Sequence, residues 1–271
     1  IKNCVVCIIL QMQEVCNLIL LQSKFSAYTG TLLVPKGTSP YYQNESEGKC
    51  MDMLQLMKER HSVRQYKDKP IEQEKRAKID RLISEINSES GLSMQAVYDE
   101  PNCFDSFMAH YGKFTNVSNY IAIVGAKNDQ EKAGYYGEKL VLGCQELGLN
   151  TCGVAMSHSK TRTVIGKVQK LLIVIAIGYG ENQGVAHKSK DISEISRADV
   201  ETDWFTKGME AVCLAPTAVN QQKFMFELRE GVVTAKAPRG ICTKIDLGIA
   251  KYHFEAGSGH KIFTKKISTP P

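Results

Sequence analysis

The sequence predicts an α+β fold, on three observations. Apolar side chains at Ala77, Ile79, Leu82, Ile83 and Ile86 give residues 72–86 the period of an amphipathic helix. Two apolar runs rich in β-branched residues, Tyr120-Ile121-Ala122-Ile123-Val124 and residues 171–177, have the length and composition of buried strands. Gly178 and Gly180 follow the second run but lead into Glu181-Asn182-Gln183-Gly184, with no amphipathic helix after them. That rules against the strand, glycine turn and helix of a dinucleotide fold.

Residues 1–50 differ from the rest of the chain. Their apolar runs are broken by Gln11, Gln13, Glu14 and Asn17, and a turn-rich stretch begins at Pro35. A signal peptide needs a basic start and an uninterrupted apolar centre, and a membrane span needs about 20 apolar residues. The expectation is an appendage outside the fold, with a docked N-terminal helix as the alternative. Met51 opens a charged, periodic sequence of soluble character. A short helix carrying Met53, Leu54, Leu56 and Met57 runs into Glu59-Arg60-His61-Ser62-Val63-Arg64-Gln65-Tyr66. Lys69-Pro70-Ile71 restarts the chain, the helix over residues 72–86 comes next, and Ser88-Glu89-Ser90-Gly91 ends it.

A strand is expected over residues 94–98, while the aromatic stretch with Phe104, Phe107, Tyr111 and Phe114 fits a core or a pocket roof. The strand at residues 120–124 is closed by Gly125, and an apolar helix over residues 135–147 stops at Gly148. Beyond the buried strand at 171–177 come a helix over residues 204–214, the stretch Ala215-Pro216-Thr217-Ala218-Val219-Asn220-Gln221-Gln222, strands over 223–228 and 232–236, and a last helix over 244–255. The expected organisation is a main domain over residues 51–198, a smaller unit over 199–260 and a disordered tail over 261–271.

Composition narrows the partners. The 271 residues carry 34 Lys and Arg against 29 Asp and Glu, a net charge of +5 gathered between Lys58 and Arg81. A nucleic-acid binder would show a broader basic face interleaved with aromatics. A small anion fits the local cluster better. The nine cysteines are scattered without paired metal-ligand spacing, the pattern of reduced thiols in a cytoplasmic setting. No metal site or membrane contact is expected.

A partial internal repeat is also legible. Glu89-Ser90-Gly91-Leu92-Ser93-Met94-Gln95-Ala96-Val97 overlays Pro216-Thr217-Ala218-Val219-Asn220-Gln221-Gln222-Lys223-Phe224, each following a helix and leading to a β-rich stretch and an apolar helix, with Gly137 opposite Gly248. If the repeat is real, the halves pack about a pseudo-twofold axis. One half then supplies the basic cluster and the other the polar loop.

Four motifs in order carry a family resemblance: Arg60-His61-Ser62-Val63-Arg64, Gly148-Leu149-Asn150-Thr151-Cys152-Gly153, Ile177-Gly178-Tyr179-Gly180 ahead of Lys188-Ser189-Lys190, and Ala215 to Gln222. Over residues 51–257 the chain resembles the FMN-dependent nitroreductases, in the subgroup whose single chain combines a full domain with a partial second one. The resemblance implies a three-layer α-β-α sandwich with a mixed central sheet. It also implies an FMN site built from Arg60, His61, Ser62 and Arg64, from Gly153 and Val154 where many members carry an acidic residue and glycine, from Lys188 and Lys190 near the phosphate, and from Pro216, Thr217, Ala218 and Asn220 in the loop a partner subunit normally supplies. Here Gln222 is followed by Lys223-Phe224, where the family usually continues with proline and an aromatic residue.

The residue types suit that cofactor. Guanidinium binds phosphate bidentately while ammonium acts as a point charge; Ser62, Thr217 and Asn220 offer donors and acceptors for a ribityl chain; and Arg64 could stabilise negative charge at the flavin ring edge. The implied activity is oxidation of NAD(P)H and reduction of nitroaromatic, quinone or similar electron-poor acceptors by a ping-pong mechanism. No catalytic acid or base is demanded, and the chain would act as a pseudodimeric monomer or as a homodimer. The alternative is a flavin carrier or sensor without turnover.

Overall fold

The computed structural model describes residues 52–104, 113–154 and 161–262. The expected appendage over residues 1–50 lies outside the described residues, as do Phe107, Tyr111 and all but the first two residues of the expected tail. The elements are α1 (Met53–Glu59), α2 (Gln73–Ser90), β1 (Ser93–Val97), β2 (Tyr120–Gly125), α3 (Gln130–Glu146), β3 (Asn150–Val154), β4 (Lys170–Gly178), α4 (Ile192–Ile195), β5 (Ser196–Ala198), α5 (Asp203–Val212), β6 (Met225–Arg229), β7 (Val232–Lys236) and α6 (Thr243–Ser258). The α+β expectation holds.

One sheet runs β1-β2-β4-β3 and is antiparallel at every pairing. Parallel pairing enters at its β3 edge, through the single bridge from Ser62 to Thr151, and in a second sheet of order β5-β6-β7, where β5 and β6 are parallel. β2 is buried along its whole length because both of its faces are covered. Ile121 and Ile123 pack with Ile79, Ile83 and Ile86 of α2 and with Leu140 of α3. Tyr120 and Ala122 pack on the other face against Val63, Tyr66, Phe104 and Phe114. Strands buried on both faces read as continuous apolar runs rather than alternating ones, which is why β2 and β4 are legible in the sequence.

The second sheet buries Phe226, Leu228 and Val233 against Phe205 and Met209 of α5 and Phe254 of α6. Trp204 packs at the margin of this cluster, stacked on His260 with ring centroids 4.2 Å apart. It is a packing residue. Phe104 and Phe114, with centroids 5.2 Å apart, are likewise core residues.

α3 and α6 cross through glycine. A Cβ on Gly134 would stand 2.0 Å from the Ile245 carbonyl oxygen, and one on Gly248 would stand 1.9 Å from that of Glu131. Each glycine faces the residue three positions before the other, so the crossing is locally symmetric. Gly134 and Gly248 meet at this crossing, whereas Gly137 faces the sheet at Ile123. The order helix, strand, antiparallel strand, helix occurs as α2-β1-β2-α3 and again as α5-β6-β7-α6. The overlaid loops are nonetheless unlike. Gly91 is the left-handed C-cap of α2 at φ 68° and Ser90 Oγ accepts from the Leu92 amide, so β1 starts at once. In the second unit β6 starts only at Met225, past the end of the overlay.

Candidate functional site

The basic cluster leaves α1 as an extended segment. Arg60 is the C-cap of α1 with extended backbone, and the Val63 amide donates to the Thr151 carbonyl of β3 at 3.0 Å. Gln65 bridges to Thr115 and Tyr66 to Gly180. Val63 is buried between the half-buried Ser62 and the exposed Arg64, as in a strand, and Tyr66, buried too, breaks that two-residue period. Each fully buried apolar side chain anchors the segment by about 1.5–3 kcal/mol.

The Gly178-Tyr179-Gly180 motif acts here. A Cβ on Gly178 would lie 3.0 Å from the Tyr66 ring, and one on Gly180 would lie 2.9 Å from Val63 Cγ1. Bare backbone at these two positions is what admits the anchors of the basic strand.

The Pro216 to Gln222 loop faces this segment. After an extended Thr217, a short 3-10 turn over Ala218–Asn220 carries Val219 at φ 46°, followed by Asn220 at φ 54° and Gln222 at φ 43°. A β-branched residue in the left-handed region costs of order 1–3 kcal/mol and persists only where its surroundings fix it. They do so here. Asp246 of α6, 2% exposed, accepts from the Ala218 amide at 3.0 Å and from Gln221 Nε2 at 2.6 Å. Gln222 donates its amide to Thr217 Oγ1 at 3.1 Å and its Nε2 to the Lys188 carbonyl at 2.9 Å. Burial pushes the Asp246 carboxyl up, against the two bonds it accepts from the loop.

Two adjoining cavities, of about 580 and 190 Å³, lie between the segment and the loop. Arg60, Ser62, Arg64, Pro216, Thr217 and Val219 line both. The larger is a polar mouth that also takes His61, Asn220, Gln65, Lys113, Asn182 and His187. The smaller is an inner chamber with Gly153, Val154 and Ala218 on its walls, and its far side is apolar, with Ile173, Ile175 and Ile245.

Ten of the twelve expected site residues therefore meet at one cleft. Lys188 and Lys190 do not. Their backbones brace the loop, since the Lys188 carbonyl accepts from Asn220 Nδ2 and Gln222 Nε2 and the Lys190 amide donates to Gln222 Oε1. Lys190 Nζ is itself bound to the Gln222 carbonyl at 3.2 Å. His187, two residues from the middle of that motif, lines the mouth instead, with Nε2 donating to the Cys213 carbonyl at 3.1 Å; burial pushes its imidazole down. Arg64 is exposed, with its guanidinium 5.9 Å from the Phe114 ring centroid.

Arg60 differs from Arg64. It is 4% exposed, and its Nε, without a hydrogen-bond partner among the described residues, faces Glu138 Oε1 of α3 at 3.6 Å. Glu138 is 3% exposed and lies 2.9 Å from His253 Nε2 of α6. The unmatched Nε is the atom turned to Glu138, too far for a hydrogen bond, so Arg60 brings its positive charge to the walls of both cavities. Sequence reading misses Glu138, Asp246 and His253 because nothing local sets them apart from the other polar residues of α3 and α6. The thiols are quiet: burial pushes Cys144 up to about 12 and raises Cys152 as well, although Cys152 lines the inner chamber.

Replacing Asp246 by alanine strips two bonds from the loop. Net values near 1 kcal/mol each, larger for a charged acceptor, predict a loss of about 2–4 kcal/mol, read from the urea midpoint. A change below about 0.5 kcal/mol contradicts the bracing role.

Among the described residues no helix is long and apolar enough to cross a membrane, and no cluster of potential metal ligands occurs. The chain is similar in structure to a "putative nitroreductase" from Thermotoga maritima, with a TM-score of 0.56 and 19% identity over 82% of this chain and 88% of that one. That likeness shows the fold. An "FMN-dependent Nitroreductase" from Clostridium difficile R20291 matches with a TM-score of 0.39 and 21% identity over 52% of this chain and 92% of that one. A "Putative NADH dehydrogenase/NAD(P)H nitroreductase" from Bacteroides thetaiotaomicron matches with a TM-score of 0.42 and 21% identity over 53% and 95%. None of the curated proteins matches significantly. The family profile described as "Putative TM nitroreductase" matches residues 52–258, every element above included, and the chain belongs to this nitroreductase family of oxidoreductases.

Proposed function

We propose that the cleft holds FMN and that the chain oxidises NAD(P)H and reduces nitroaromatic, quinone or similar electron-poor acceptors by a ping-pong mechanism. The observation that carries this reading is the meeting of Arg60, Ser62 and Arg64 with Pro216, Thr217 and Asn220 across one cleft. The donor set fits the cofactor. Arg60 brings a guanidinium to the walls of both cavities, where it could hold an anionic group, and the exposed Arg64 adds a second. Ser62, Thr217 and Asn220 can bond a polyhydroxy chain.

When bound, FMN would supply the hydride chemistry, accepting from the nicotinamide and giving to the acceptor that takes its place. The chain's own part is to bind and orient. The braced loop with its left-handed Val219, 96% exposed at the cleft, forms one wall, and Ile173, Ile175 and Ile245 give the smaller cavity an apolar side.

The same reading makes residues 199–260 the half of the site that a partner normally supplies. The reciprocal contacts of Gly134 and Gly248, together with the recurring helix-strand-strand-helix order, support it. A single chain then suffices for one FMN.

Anaerobic addition of NADH or NADPH to FMN-loaded protein is expected to bleach the flavin absorbance, and menadione or a nitrofuran to restore it. Flavin that binds but is bleached by neither nucleotide contradicts the reductase and leaves a flavin carrier or sensor.

A further inference from the structure

The three buried groups Arg60, Glu138 and His253 form a chain from the cleft wall into the packing between α3, α5 and α6. Their hydrogen bonds fix the number of protons they hold. His253 is fully buried, with Nδ1 2.9 Å from the Ala211 carbonyl of α5 and Nε2 2.9 Å from Glu138 Oε1. A carbonyl only accepts, so Nδ1 carries a hydrogen. A second hydrogen must then lie between Nε2 and the carboxylate, since two lone pairs cannot face each other at that distance.

Burial pushes the Glu138 carboxyl up, but the bond from His253 and the charge of Arg60 outweigh it and hold the carboxyl below its ordinary value. The second hydrogen is held between the two partners, along the line from Nε2 to Oε1. With that hydrogen the His253–Glu138 pair is neutral overall, Arg60 gives the cluster a net charge of +1, and Arg60 lines both cavities of the cleft.

We infer that Glu138 and His253 are positioning residues that hold Arg60 against the cleft and tie its binding of an anionic group to retention of one proton by the pair. The inference deepens the flavin reading and rests on it. While the pair keeps its proton, the cluster has net charge +1 and an anion on Arg60 is favoured. Once the proton leaves, the net charge is zero and the His253 lone pair opposes the Glu138 carboxylate. Linkage makes the effect reciprocal, so bound anion holds the proton in place.

The other charges facing His253 do not remove the effect. α3 also offers Glu131, which pairs with Lys251 at 2.6 Å, and α5 contributes the Ala211 carbonyl. His187 faces the same cluster from the segment before α4, and Asp246 on α6 is turned to the loop.

The test is the Kd of FMN for the full-length protein from about pH 6 to about pH 9.5, spanning the range in which histidines in varied surroundings titrate. The Kd is expected to be flat at the acid end and then to rise by up to about tenfold per pH unit, the slope of a single linked proton. The E138Q variant separates this from the intrinsic titration of the ligand. Its amide donates to a neutral His253 Nε2 while Nδ1 still donates to Ala211, so no proton is needed and the rise should disappear.

Calorimetry of wild type in buffers of different ionisation enthalpy gives the proton count independently, should the variant fold poorly. Uptake or retention of a proton on the alkaline side is expected. FMN binding without pH dependence, or an E138Q slope equal to wild type, overturns the coupling and leaves the flavin reading intact. No FMN binding at any pH overturns both.

Discussion

Replacing Gly248 by alanine is expected to destabilise the protein by about 3 kcal/mol or more, at the upper end of overpacking costs. The added Cβ would sit 1.9 Å from the Glu131 carbonyl oxygen and 2.7 Å from the Tyr135 amide nitrogen, both backbone atoms that cannot rotate away. α3 and α6 must then separate. That movement also carries Asp246 from the loop and His253 from Glu138, so FMN affinity should fall with stability. Gly134→Ala is expected to behave alike, because its Cβ would meet the Ile245 carbonyl. Gly153→Ala is the contrasting case, as among the described residues no heavy atom beyond its chain neighbours lies within 4 Å of the new Cβ. Its stability should stay within about 0.5 kcal/mol of wild type. Urea unfolding of the three variants checks the ordering, and equal midpoints for G248A and G153A contradict the close crossing.

Arg60→Ala carries the other large effect. Removing one member of a buried ion pair costs about 3–5 kcal/mol, because the partner charge stays buried. Glu138 would be left facing His253 alone. The variant is expected to unfold at much lower denaturant and to lose FMN binding. Thr217→Ala acts from the opposite wall with a smaller fold penalty, near 1 kcal/mol for the lost bond from the Gln222 amide. It should still weaken FMN by about tenfold, the worth of one or two hydrogen bonds. A T217A protein with wild-type affinity contradicts the loop's place in the site.

The legible parts of the fold are those with strong periodicity. β7 has the expected bounds, and β2 and β4 run within a residue of theirs at each end. α3 begins at Gln130, five residues before the expected Tyr135, because the charged opening Gln130-Glu131-Lys132 hides a turn whose neighbours pack on α6. β3 carries no strand pattern of its own. Asn150 and Gly153 are poor strand formers, and the strand forms because β4 on one side and the Ser62–Val63 segment on the other pair with it.

The candidate site is legible where it is made of charged or loop residues near the surface, as in Arg60 to Arg64 and Pro216 to Asn220. Its supports are not. Glu138, Asp246 and His253 acquire their roles only from helix crossing, which no local pattern encodes. Lys188 and Lys190 illustrate the converse, since a basic pair attracts attention by charge while its contribution to the loop is made largely by backbone groups.

The central claim is that one chain supplies both walls of a flavin site. Titrating flavin-free, full-length protein with FMN while light scattering reports its mass tests it most directly. One FMN per chain is expected, bound by a monomer or equally by each chain of a larger species, with affinity lost on substitution at Arg60 and reduced at Thr217. Failure to bind FMN, or one FMN shared by two chains, would contradict it.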